Sequence, residues 1–275
     1  MAAAAMTAEA APRLQRARGE ARIVAALRRG QTAIARLYQD GCAKIRLPHT
    51  HDASLQAVLM NTAGGLCGGD RIDWTIEAEA GARLVVTTPA CERVYRSLGG
   101  AARIANRVSV GAGARLDWLP QETILYEGGR LERRLDVDLA EGAVFTAVES
   151  VLLGRTAMGE AARGASLGDN WRVRRNGRLI HAEATRLSGD PLERDGLSLL
   201  GGAAAFATIL HIAPDAGRRL DAIRALLPAG AGASLMGERL LVRAVAPTGL
   251  ALRRAIAPTI ALLAGAGALP RLWLL

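Results

Sequence analysis

A strand–glycine turn–strand unit recurs three times between residues 76 and 145, and it constrains the fold more than any other feature of the chain. The three copies align on the turn glycines Gly81, Gly113 and Gly142. These glycines recur at intervals of about 30 residues, which is typical of stacked supersecondary units. Apolar and polar residues alternate on both sides of each glycine, as in half-buried strands. The pattern predicts a mainly β fold of superhelical, irregular β-solenoid-like layers or a layered sandwich.

The second half of the chain contains a hairpin signal. Asn176-Gly177 separates two alternating segments, 171–175 and 178–187, and Asn-Gly favours the tight turn of a β-hairpin. The segment 238–246 has the apolar content of one more strand.

Helices are predicted only near the C-terminus. Residues 215–227 place Leu220, Ile223, Leu226 and Leu227 on one face. Thr248 can cap a second helix over 250–263, which Pro258 should kink or split. This helix is apolar over much of its surface, so we expect it to form part of a partner-binding surface.

Composition supports one domain of 20–275 behind a disordered tail of residues 1–19. No flexible linker divides the 275 residues, and half of them are hydrophobic, which is enough for a large core. The alanine-rich N-terminus lacks the basic region of a signal peptide, and no apolar run reaches the length of a membrane span. Cys42, Cys67 and Cys91 are too few for a disulfide framework. We therefore expect a cytoplasmic protein.

The net charge of +9 is compatible with nucleic acid as a partner, but the pattern of the charges does not favour it. The arginines are scattered through alternating strands, and aromatic residues make up only 3% of the chain, which leaves few platforms for stacking bases. A basic nucleic-acid-binding protein stays an alternative only if the arginines gather on one face of the fold.

The segment 61–71, Asn-Thr-Ala-Gly-Gly-Leu-Cys-Gly-Gly-Asp-Arg, requires an unusual backbone because it contains two glycine pairs. A structural hairpin or bulge is the simplest interpretation. A phosphate-binding P-loop is excluded, because Asp70 and Arg71 stand where Lys and Ser/Thr are needed. The segment 111–116 lacks the third glycine of a dinucleotide-binding fingerprint.

Sequence motifs of hydrolytic or transfer enzymes are absent. His49 and His51 form an H-x-H pair that could ligate a metal or simply face solvent. Cys67 and Cys91 are either soft metal ligands or small buried hydrophobes. A small-molecule enzyme that uses the glycine-rich segment and one of these cysteines is therefore kept as an alternative.

Two carboxylates interrupt apolar segments. Glu149 lies within 144–153 and Glu183 within 179–184. A buried carboxylate needs a cation, a hydrated cavity or a salt bridge, because burying an unpaired charge is costly. Ion pairs with the nearby Arg155 and Arg186 are as plausible as a hydrated cavity.

Five blocks of sequence stand out in order along the chain. The blocks are 61–70, Thr87 to Ser97 (TTPACERVYRS), Leu119 to Tyr126 (LPQETILY), Gly154 to Glu160 (GRTAMGE), and Gly237 to Pro247 with the closing Pro270 to Trp273. In this order they resemble the UreD/UreH family of urease accessory proteins, and the resemblance covers roughly residues 20–275.

The resemblance implies a superhelical, mostly β fold and a non-catalytic scaffold in the cytoplasm. It further implies that the chain binds apo-urease and recruits UreF and, through UreF, the GTPase UreG, so that nickel reaches the urease active site. Nickel would be a cargo in transit, with no tightly bound cofactor. A homodimer within the accessory complex is compatible with this role, and neither nucleic acid nor a membrane is an expected partner.

A nickel path explains acids in the interior, because a metal in transit needs several weak oxygen or nitrogen ligands in sequence. By position in the family blocks and strands, we expect Asp70, Asp73, Glu149 and Glu183 to line it. For Asp73, a solvent-facing position on a strand is the equal alternative.

Overall fold

The computed structural model describes residues 15–49, 52–155, 158–265 and 269–274. These ranges contain seventeen strands and three α-helices, followed by a short 3-10 helix at Arg271–Trp273. The strands are β1 (Arg18–Arg28), β2 (Gln31–Gly41), β3 (Ala43–Arg46), β4 (Leu55–Asn61), β5 (Arg71–Ala78), β6 (Arg83–Thr87), β7 (Glu92–Val94), β8 (Ala102–Val110), β9 (Arg115–Leu119), β10 (Thr123–Leu125), β11 (Arg130–Leu139), β12 (Val144–Leu153), β13 (Ser166–Arg175), β14 (Arg178–Leu187), β15 (Ala205–Ile212), β16 (Ala231–Met236) and β17 (Arg239–Ala246). The helices are α1 (Pro191–Asp195), α2 (Ala216–Leu226) and α3 (Gly249–Leu263).

The chain winds between two sheets as a β-solenoid. The first sheet has the order β14-β13-β11-β8-β5-β1-β2, and the second has the order β16-β17-β15-β12-β9-β6-β4-β3. Successive coils place β5, β8, β11 and β13 side by side in parallel, facing the parallel series β4, β6, β9 and β12. The predicted mainly β, solenoid-like fold with helices toward the C-terminus is confirmed.

The repeated glycines are the corners at which the chain passes from the first sheet to the second. Gly81, Gly113 and Gly142 all have positive φ, between 62° and 71°. The turns also stack, because the amide of Gly81 donates to the carbonyl of Ala112 at 3.0 Å and that of Gly113 to Glu141 at 3.3 Å. A side chain at such a position would strain the backbone.

Inward-facing residues of successive coils form apolar rows that fill the space between the sheets. One row joins the in-register residues Ile23, Ile76, Val108, Val137 and Val173, all of them buried. Each such side chain contributes roughly 1.5–3 kcal/mol through burial. A second core lies between the second sheet and the helices α2 and α3.

The C-terminal helix differs from the sequence-based expectation in two ways. Thr248 caps α3 as predicted, accepting from the Ala251 amide at 3.1 Å, but the helix runs unbroken through Pro258 and is not split. Packing against β15 and β17 holds the two halves together. Four of its six leucine and isoleucine side chains, among them Leu252 and Ile256, are buried in the fold, and Leu250 remains 59% exposed. The helix therefore offers much less free apolar surface than expected.

The predicted hairpin is confirmed, since Asn176 (φ 48°) and Gly177 (φ 77°) form the turn between β13 and β14. The strand predicted at 238–246 and the helix at 215–227 correspond to β17 and α2. Leu226, predicted on the buried face of that helix, is 42% exposed.

Candidate functional site

The glycine-rich segment 61–71 is a corner between the two sheets, so the hairpin expectation is wrong. It leaves the second sheet at the end of β4 and enters the first sheet at the start of β5. Within the corner, Leu66 forms a parallel bridge with Val94, and its amide donates to the Arg93 carbonyl at 2.7 Å. The glycines are needed here because side chains would collide: a Cβ on Gly65 would meet Tyr95, and one on Gly68 would meet Ser97.

Parts of the first four sequence blocks lie side by side along a third, narrow side of the solenoid. Leu66 bridges to β7, β7 pairs in parallel with β10, and β10 pairs with the end of β12. The Gly154 amide then donates to the Leu125 carbonyl at 2.8 Å. Segments separated by up to ninety residues thus form one surface, which we call the block side.

A cavity of about 250 Å³ lies beneath the block side. Its lining includes the exposed Gly64 and the half-buried Asn61 and Glu92, and, at its buried end, Arg133 and Glu149. The blocks therefore surround an opening into the interior of the solenoid.

Three charged residues meet inside the protein at the inner end of this cavity. Arg133 of β11 contacts Glu149 of β12 at 2.5 Å (Nη1–Oε2) and Asp169 of β13 at 2.7 Å (Nη2–Oδ2). The exposed fractions of the three residues are 4%, 5% and 6%. On the neighbouring strands β8 and β5, the residues in register with Arg133 are Ile104 and Ile72. One guanidinium thus compensates two carboxylates where the fold otherwise places aliphatic side chains.

The shared Arg133 does not fully offset the cost of burying the charge of Glu149. Burial raises the pKa of Glu149 to about 7, against the opposing effect of Arg133 and of the Trp118 Nε1–H group, which donates to Glu149 at 3.0 Å. Burial lowers the pKa of Arg133, but Asp169 and Glu149 outweigh it, so the net shift is upward and this group stays charged. Near pH 7, Glu149 can therefore exchange a proton.

Near the mouth, Glu92 is a second acid with a perturbed pKa. Burial raises the pKa of Glu92 to about 7, although the Asn61 side chain donates to both of its oxygens at 3.2 and 3.3 Å. The neighbouring Cys91 has its thiol pKa raised to about 11 by burial and by Glu122, whose carboxylate lies 3.4 Å away. A thiol that stays protonated is a poor nucleophile, which disfavours the alternative of a cysteine enzyme at Cys91.

Asp70 and Asp73 lie apart from this cavity. Asp70 is buried and accepts from the amides of Ala17 at 2.8 Å and Cys67 at 2.7 Å, so it fastens the corner to the chain before β1. Asp73 lies on the outer face of β5, where Arg71 binds it at 2.6 Å and lowers its pKa. This is the solvent-facing alternative considered for Asp73.

Glu183 lies in a different cavity, of about 340 Å³, between β14 and the strands β15 and β17. Its side chain is 8% exposed, contacts Arg243 at 3.2 Å and accepts from the Thr208 hydroxyl at 3.1 Å. Burial raises its pKa, but His181 and Arg243 outweigh that effect, so the net pKa is lowered. Within the parts of the chain that the structure describes, no hydrogen bond or ion pair joins any two of the four predicted path residues.

The ion-pair interpretation of the two buried acids is supported, with different partners. Glu149 pairs with Arg133 and Glu183 with Arg243, whereas the sequence suggested Arg155 and Arg186. Arg155 instead binds Glu160 at the surface. Glu149 is at once an ion-pair member and a cavity residue, so its place in a nickel path stays a prediction.

No group of three or more histidine, cysteine, aspartate or glutamate side chains suited to a metal ion occurs among the described residues. His49 is exposed at the end of a described range, and His51 lies outside the described residues. Cys42, Cys67 and Cys91 are free thiols of intermediate burial.

Sequence reasoning missed Arg133, Asp169 and Glu92. A signal for Arg133 was present, because alternation between Leu131 and Leu135 places it on the inward face of its strand. An arginine at an inward position indicates a buried anionic partner. Its partners come from other coils, which the alternation does not identify.

Comparisons with known proteins identify the family to which these blocks point. Residues 17–274 match the family profile described as UreD urease accessory protein. A protein from Chelativorans sp. (strain BNC1) named urease accessory protein UreD is 62% identical over 262 residues, covering 94% of this chain and 95% of the relative. A UreD from Rhizobium etli is 51% identical over 265 residues (96% and 97%), and UreD 1 of Brucella melitensis biotype 1 is 48% identical over 265 residues (94% and 95%). None of the helices in the described ranges has the length and apolarity to cross a membrane.

Proposed function

Because the chain belongs to the UreD family of urease accessory proteins, we propose that it is a non-catalytic scaffold of urease maturation. In this role it binds apo-urease in the cytoplasm and recruits UreF and, through UreF, UreG. Nickel is the cargo that passes to the urease active site. Neither nucleic acid nor a membrane takes part, and a homodimer can form within the accessory complex.

The cavity beneath the block side is the single observation that supports a nickel path most strongly. Glu92 near its mouth and Glu149 at its inner end both have pKa values raised to about 7. At neutral pH a proton competes with a metal ion for such carboxylates, so each binds the metal weakly and releases it. Oxygen ligands of this kind suit a nickel ion in transit better than a closed cage does.

The path that we propose includes the four acids expected from the sequence. Glu149 lies on the cavity, whereas Asp70 and Glu183 line other cavities and Asp73 lies on the outer face. Glu149 is therefore the residue with the strongest support. Asp73, which is held by Arg71 and Arg107, has the weakest.

The block side is also our candidate for a partner surface. Tyr95 and Tyr126 pack edge to face with ring centroids 5.1 Å apart, and the Arg155 guanidinium lies 4.6 Å from the Tyr126 centroid. Tyrosine and arginine are enriched among the residues that dominate binding energy at interfaces. A partner seated there would cover the mouth of the cavity, so that nickel could pass without release to solvent.

The proposal is tested by co-expressing the chain with urease and the other accessory proteins and measuring nickel per urease active site. Omitting the chain should leave urease expressed but poor in nickel. Glu149→Ala and Glu183→Ala should reduce nickel loading while apo-urease and UreF still copurify with the variant. Asp138→Ala, which removes an exposed outward-facing acid of β11, is the matched control and should load nickel normally.

Two results would contradict the proposal at different levels. Full nickel loading without the chain, at ordinary nickel supply, would refute the accessory role. Variants at Glu149 or Glu183 that lose thermal stability but load nickel normally would remove those residues from the path and leave the scaffold role intact.

A further inference from the structure

Three arginines form a row on the outer face of the first sheet. Arg18 of β1 lies opposite Arg71 of β5, and Arg71 lies opposite Arg103 of β8. All three are exposed and stand on adjacent strands, which are about 4.8 Å apart in a sheet. Like charges directly opposite each other destabilise a sheet, so this row requires an explanation.

Carboxylates of the chain leave most of this charge uncompensated. Arg71 donates two hydrogen bonds to Asp73, at 2.6 and 3.2 Å, and is also attracted by the nearby Glu20. The side chains of Arg18 and Arg103 have no ion pair with any described residue. Glu132 continues the row on β11, but its carboxylate lies over Gly168 of β13, on the side away from Arg103. The acid that lies opposite Arg103 on the next strand is thus directed away from it.

The arginines border a cavity of about 280 Å³ formed by two glycine turns. Gly69 and Gly100 line it, and both have positive φ, 93° and 71°. A Cβ on Gly100 would meet no atom within 4 Å, so there is free space beside the backbone of Gly100. The Arg16 side chain lies beside Gly69, with its Nε 3.1 Å from where a Cβ would be. A fourth arginine therefore lies next to one of the two glycine turns.

Asp70 also lines this cavity but does not neutralise the arginines. Its two carboxylate oxygens accept from the amides of Ala17 and Cys67, which direct it toward the corner of the chain. The cavity lining consequently contains three arginines and a single, already engaged aspartate.

From this arrangement we propose a binding site for a phosphate group, centred on Arg18, Arg71 and Arg103. A phosphate group has up to two charges and three oxygens for several planar guanidinium forks, whereas a carboxylate has one charge and two oxygens. The lining contains neither aromatic nor large apolar side chains that could hold a base, so the phosphate alone is recognised. The source is free phosphate, pyrophosphate or the phosphates of a nucleotide. This site goes beyond the scaffold function and does not depend on it.

Isothermal titration calorimetry of the full-length chain with inorganic phosphate, pyrophosphate and ATP, at constant ionic strength, tests the proposal. Pyrophosphate should bind. Arg103→Gln and Arg18→Gln should each weaken binding on the order of tenfold, because each removes hydrogen bonds to a charged group. Arg254→Gln, an exposed arginine of α3 with the same change in net charge, is the matched control and should bind as the wild type does.

The three ligands distinguish the sources of the phosphate. ATP affinity equal to that of pyrophosphate supports recognition of phosphate alone, and inorganic phosphate of similar affinity assigns the site to the free ion. The proposal is overturned if none of the three binds, if Arg254→Gln weakens binding as much as Arg103→Gln, or if ATP binds far tighter than pyrophosphate. Binding of hexaglutamate without binding of any phosphate would also overturn it and would indicate an acidic protein segment.

Discussion

Replacing Arg133 with methionine should destabilise the protein strongly, because it removes the guanidinium that Glu149 and Asp169 share at 2.5 and 2.7 Å. All three groups are buried, so the remaining carboxylates would lose their cation in a largely desolvated site. Breaking a buried ion pair costs about 3–5 kcal/mol. In a chain of this size 1 kcal/mol shifts Tm by about 2–4 °C, so we expect Tm to fall by roughly 6–20 °C at pH 7.

Glu149→Gln is the informative companion variant. Glutamine keeps the size of the side chain and an acceptor for Trp118, and it leaves Arg133 paired with Asp169 alone. Because burial raises the pKa of Glu149 to about 7, the neutral form is already accessible to the wild type at neutral pH. Because glutamine resembles the neutral carboxyl, we expect Glu149→Gln to be at least as stable as the wild type at pH 7, by up to about 3 kcal/mol.

The pH dependence of stability gives an independent measure of the same interaction. The pKa of Glu149 is raised from 4.5 to about 7 in the folded protein, so the folded state binds this proton more tightly than the unfolded chain. The resulting stabilisation is complete below pH 4.5 and is lost as pH rises through about 7, a change of about 3 kcal/mol. Glu149→Gln should remove this part of the pH dependence.

Thermal and urea unfolding of the wild type and both variants at pH 5, 7 and 8 measure these effects. The reasoning is refuted if Arg133→Met melts within 2 °C of the wild type at pH 7, or if Glu149→Gln costs as much as Arg133→Met. An unchanged difference between pH 5 and pH 8 in Glu149→Gln would refute the raised pKa.

Two further predictions concern the corner and the cavity mouth. Gly68→Ala should destabilise the protein by about 1–3 kcal/mol in urea unfolding, because its Cβ would meet Ser97 and lie 2.6 Å from the Gly100 carbonyl oxygen. Gly99→Ala is the control and should unfold as the wild type does, because a Cβ on Gly99 would have no atom within 4 Å. Equal stability of the two variants would contradict this prediction. The pKa of the Cys91 thiol is raised from 9.0 to about 11, so at pH 8 Cys91 should react with iodoacetamide about a hundredfold more slowly than a free thiol. Mass spectrometry follows the labelling. Labelling at the rate of free cysteine would contradict the argument that burial raises this pKa.

Local signals in the sequence were sufficient for part of the elements of the fold. The stacked corners at Gly81, Gly113 and Gly142, the turn at Asn176-Gly177 and the cap at Thr248 each depend on the conformation of a few adjacent residues, so their residue types predict them. The alternation of apolar residues likewise determined which face of strands such as β5 and β11 is buried. These features and the five family blocks were enough for the solenoid and for the family.

Only the tertiary structure decided which residues meet. Arg133, Glu149 and Asp169 come from three strands on two sheets, and the first four blocks become adjacent because successive coils stack in parallel register. The number of residues in each coil sets that register, and local propensity does not encode it. The same stacking aligned Arg18, Arg71 and Arg103 into one row and kept Asp70 and Glu183 in cavities separate from that of Glu149.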